Sequence, residues 1–61
     1  MAKSPCVLIV DDSIDVLQTL SDILGVAGYV VRTAPSAERG LQILEGAAVD
    51  LVITDLRMGG M

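Results

Sequence analysis

The sequence predicts a small α/β fold in which three parallel strands alternate with two helices and the first strand lies in the middle. Three observations lead there. Short aliphatic runs alternate with stretches whose apolar residues recur at helical spacing. The connections are brief, which suits right-handed βαβ crossovers and a parallel sheet. All three runs are mostly apolar, which calls for cover on both faces. Strands laid in chain order would put both helices on one face and leave the other bare, so the first strand belongs between the second and third.

Val7, Leu8, Ile9 and Val10 form the first strand, preceded by Ser4-Pro5 and closed by Asp11 and Asp12. Over residues 13–27 the apolar positions Ile14, Leu17, Leu20, Leu24 and Ala27 fall on one helical side, with Ser21 and Asp22 on the other. Gly28 supplies the stop, and Gly25 in the last turn weakens the helix by about 1 kcal/mol relative to Ala. Residues 29–33 read as the second strand. Ala34-Pro35-Ser36 turns the chain, and Ser36 is placed to cap a second helix with Glu38 in its first turn. Ala37, Leu41 and Leu44 give that helix an apolar side with Ile43 at its margin, and Gly46 ends it. Residues 49–54 are the third strand, closed by Asp55, and residues 56–61, with Gly59-Gly60, read as a loop.

Composition narrows the functions available. A chain of 61 residues holds at most one small core, yet 52 % of it is hydrophobic, which excludes disorder. Four basic residues against eight acidic ones leave a net charge of −4 and no footprint for nucleic acid. Without histidine there is no imidazole base and no His metal ligand. Cys6 stands alone, which excludes an internal disulfide and suits a reducing compartment; at the start of a buried strand it reads as a small core residue. The apolar run of residues 6–10 is too short for a leader or a membrane span. The expectation is a soluble, cytoplasmic chain.

Three carboxylates stand at strand ends: Asp11 and Asp12 after the first strand, Asp55 after the third. In the favoured strand order these strands are neighbours on one heading, so the three side chains gather at one edge, where open α/β sheets bind ligands. Clustered negative charge is relieved by a hard cation, and Mg²⁺ suits one or two carboxylates, several waters and a phosphate oxygen. A carboxylate left over can accept a phosphoryl group as a nucleophile. Taken singly the residues have plainer readings. Asp12 is an ordinary N-cap type, and Asp15, Asp22, Glu38, Glu45 and Asp50 are solvated faces and caps. Other phosphate chemistries lack their signatures: there is no GxxxxGK(S/T) loop and no GxGxxG, and Ser13 stands where a dehalogenase-type phosphatase needs a second Asp.

The run from Ile9 to Ser13, Ile-Val-Asp-Asp-Ser, and the run from Asp50 to Met58, Asp-Leu-Val-Ile-Thr-Asp-Leu-Arg-Met, resemble the receiver domain of two-component response regulators. The resemblance covers nearly the whole chain. It implies the flavodoxin-like fold, with strand order 2-1-3-4-5 in the complete family. It implies that Asp55 is the phosphoryl acceptor and that Asp11, Asp12 and Asp55 hold Mg²⁺ with the backbone carbonyl of Arg57, Asp12 being the more direct ligand of the acidic pair. The implied donor is a phospho-histidine on a sensor histidine kinase, and the chain is a relay module rather than an enzyme.

Receivers usually run to about twice this length. The Thr or Ser and the Lys that grip the phosphoryl oxygens come from later strands, whereas Lys3 is the only lysine here, and Gly59 stands where the family most often has Pro. Residues 1–61 are accordingly expected to be the first half of a receiver, truncated after its third strand and impaired in transfer. The third strand would then be an edge, and a flat apolar edge recruits another chain. A homo-oligomer is expected, most simply a two-fold dimer. The alternative to a relay module is a self-associating half-domain with a structural role.

Overall fold

In the computed structural model, which describes residues 4–54, the chain runs β1 (Cys6–Val10), α1 (Ile14–Val26), β2 (Val30–Ala34), α2 (Ala37–Gly46) and β3 (Leu51–Thr54). All strands are parallel and lie in the order β2-β1-β3. The expected α/β arrangement with order 2-1-3 is therefore the one observed. β1 is apolar throughout because both its faces are covered, and all five of its residues are buried.

The helices take opposite faces. Leu17, Leu20 and Leu24 of α1 pack on the side of Val7 and Ile9, with Val31 and Ile53 completing that layer. Ile43 of α2 packs on the other side against Leu8, Val10 and Ala34. Ile14, expected on the packed stripe, is 66 % exposed, so the stripe starts one turn later, at Leu17. The end of α1 follows its sequence signal. Gly28 adopts a φ of 101°, its N–H donates to the Gly25 carbonyl, and the Tyr29 N–H donates to the Leu24 carbonyl. This pair of bonds satisfies carbonyls that a helix end otherwise leaves open.

The packed side of α2 departs from expectation. Gly40 is buried and Ile43 faces the sheet, whereas Leu41 is 62 % exposed and Leu44 is only half covered. The helix lies so close to the sheet at Gly40 that a Cβ there would stand 3.0 Å from Val10 Cγ2. A glycine contributes no apolar signal to the periodicity, so the leucines drew the expected stripe round by about one position.

The strand bounds also shift. β2 starts at Val30 and runs through Ala34, and β3 starts at Leu51 rather than at residue 49. Asp50, expected as a solvated or capping residue, is exposed and ties the two strand starts together. Its Oδ2 accepts from the Cys6 N–H at 2.7 Å, and its own N–H donates to the Cys6 carbonyl at 2.8 Å. A bond from a backbone N–H to a charged carboxylate is worth about 1.5–3 kcal/mol, enough to fix where β3 begins pairing. No helix among the described residues is long and apolar enough to cross a membrane.

Candidate functional site

The acidic pair follows β1 directly, at the carboxyl end of the sheet. Asp11 is buried, and its N–H donates to the Ala34 carbonyl at 3.0 Å, which extends the β1–β2 ladder by one residue. Its side chain folds toward the coming helix, where Oδ1 accepts from the Ser13 N–H at 2.9 Å. That bond sets the turn from strand to helix. Ser13 then caps α1, its hydroxyl accepting from the Val16 N–H at 3.4 Å.

This arrangement decides one of the sequence alternatives. The cap of α1 is Ser13, so Asp12 is not needed for that role. Asp12 stands exposed between a buried carboxylate and the start of a helix, where the N-terminal end of the helix dipole favours negative charge. Its carboxylate takes part in no hydrogen bond among the described residues. A free, solvent-facing oxygen donor beside a second carboxylate is what a hard divalent ion requires of a protein. Ser13, near the cluster but committed to its cap, is unsuited to nucleophilic work.

β3 arrives beside this pair. It pairs with β1 in register from Val7 with Leu51 to Val10 with Thr54. Both strands therefore reach the same rim together, one ending on Val10 and the other on Thr54. Asp55 and Arg57, the remaining residues of the expected site, lie outside the described residues. Among the described residues no group of three metal-ligating acidic, His or Cys side chains comes together. What is visible is the Asp11–Asp12 half of the expected cluster.

A parallel 2-1-3 sheet with a helix on each face and an acidic pair after its middle strand defines a receiver-type signalling fold, and the chain belongs to that family. The family model described as the response regulator receiver domain matches residues 7–61. Among curated proteins the chain is 47 % identical over 62 residues to the transcriptional regulatory protein GlrR of Escherichia coli (strain K12), a match spanning all of this chain and 14 % of that protein. It is 34 % identical to the C4-dicarboxylate transport transcriptional regulatory protein DctD of Rhizobium meliloti (strain 1021), covering all of this chain and 13 % of that one. Among solved structures the chemotaxis response regulator CheY4 of Vibrio cholerae superposes with a TM-score of 0.91 at 39 % identity, over 97 % of this chain and 49 % of that chain. The chain thus spans about half the length of that structural neighbour and a smaller share of those regulators.

Proposed function

We propose that the chain is the phosphoacceptor module of a two-component relay, taking a phosphoryl group from a phospho-histidine of a sensor histidine kinase onto Asp55. The observation that supports this best is the register of β1 and β3. Val10 pairs with Thr54, and Asp11 and Asp55 are the residues that follow these two in sequence.

Asp11, Asp12, Asp55 and the backbone carbonyl of Arg57 would hold Mg²⁺. The donors are all oxygens, the set that this hard cation prefers, and the uncommitted carboxylate of Asp12 fits a direct ligand. When bound, the ion supplies positive charge against the oxygens of the transferring phosphoryl group. The chain's own part is nucleophilic. A carboxylate oxygen of Asp55 forms a bond to phosphorus while the donor's phosphorus–nitrogen bond breaks and its electron pair returns to the imidazole. A carboxylate nucleophile needs no general base, which suits a chain without histidine. This makes the chain a phosphoacceptor rather than an enzyme. The reading places it in the cytoplasm, with the effector that it controls outside this acidic segment and no direct nucleic-acid contact made by it.

Acetyl phosphate with Mg²⁺ tests the reading. A phosphorylated chain is the expected product, and complete absence of one would leave only a structural role. The metal half is tested separately by replacing Asp12 with Ala. The substitution is expected to weaken Mg²⁺ binding about tenfold, equivalent to about 1.4 kcal/mol, in an NMR titration that follows the amides of the rim. An unchanged affinity would remove Asp12 from the site.

One feature of the sheet favours a second property, self-association of this 61-residue chain. Among the described residues the outer edge of β3 pairs with no strand, and its Leu51 and Val52 are 54 % and 42 % exposed. Val52 also borders an apolar groove with Leu41 and Leu44 of α2. An uncharged apolar edge is a template for a second chain, and a lysine at position 52 should block it. Light scattering at micromolar concentration is expected to show an oligomer for the parent chain and a monomer for Val52→Lys. A well-folded parent monomer would refute the association.

A further inference from the structure

We draw no further inference here: the strongest candidate, the mostly apolar groove between α1 and the turn after β2 lined by Ile14, Leu17, Thr33 and Pro35, is an unpartnered face and nothing in the structure shows what covers it.

Discussion

Replacing Asp55 with Asn is expected to abolish phosphorylation by acetyl phosphate altogether, while leaving the fold intact. In the parent chain a carboxylate oxygen attacks phosphorus, the bond from phosphorus to the acetyl oxygen breaks, and acetate leaves. The product is an acyl phosphate on Asp55. An amide carries no charge and is a poor nucleophile, so the Asn variant keeps the shape of the residue and loses the reaction. Transfer to the parent chain should be slow, because charge stabilisation of the phosphoryl group dominates catalysis of this kind and the 61 residues include one lysine, Lys3, ahead of the first strand. Intact-mass measurement against incubation time reads both points. Equal labelling of parent and variant would transfer the acceptor role to another residue.

The second large effect concerns the core. Leu8 is fully buried in the middle strand and packs under α2 with Val10 and Ala34. Truncating a buried leucine to alanine costs about 2–5 kcal/mol, part from lost transfer energy and part from the cavity left behind. At about 0.05–0.15 kcal/mol per residue, 61 residues have about 3–9 kcal/mol of stability in all. Leu8→Ala is therefore expected to remove about half of that stability and to lower the urea midpoint in proportion, as seen by far-ultraviolet circular dichroism across a urea titration. Ile14→Ala is the control: the side chain is 66 % exposed, and such a change should shift stability by no more than about 0.5 kcal/mol. Equal urea midpoints for the two variants would mean that the sheet is not covered as described.

Much of this fold was legible because burial leaves a one-dimensional trace. Five consecutive apolar residues from Cys6 to Val10 cannot alternate between core and solvent, so a middle strand covered on both faces follows, and the strand order with it. Gly28 marked the end of α1 because a left-handed residue there is cheapest as glycine. The failures have equally definite causes. A Cβ at Gly40 would crowd Val10, yet hydrophobic periodicity is blind to a residue without a side chain. The available signal was a glycine inside a helix, which is tolerated where side chains of the sheet fill the space of its Cβ.

Asp50 is exposed, as expected of a solvated or capping residue, but its partner Cys6 is 44 residues away in sequence, and such a pairing exists only once β1 and β3 are adjacent. At the rim, Asp12 and Ser13 are both residue types that cap helices. The choice of Ser13 depends on the Asp11 side chain accepting from its N–H, a preference that the residue types alone do not decide. Among the described residues this leaves Asp12 free of the capping role.

Paramagnetic broadening by Mn²⁺ tests the gathering of the acidic residues most directly, because this ion shares the oxygen preference of Mg²⁺ and its effect falls steeply with distance. At substoichiometric Mn²⁺ the amide signals of Asp11, Asp12, Ser13, Thr54 and Asp55 should vanish together. Cys6 and Asp50, one strand length or about 13–17 Å away, should stay sharp. Loss of the Asp11 and Asp12 signals with Asp55 untouched, or broadening centred on Glu45 at the far end of α2, would contradict a shared site.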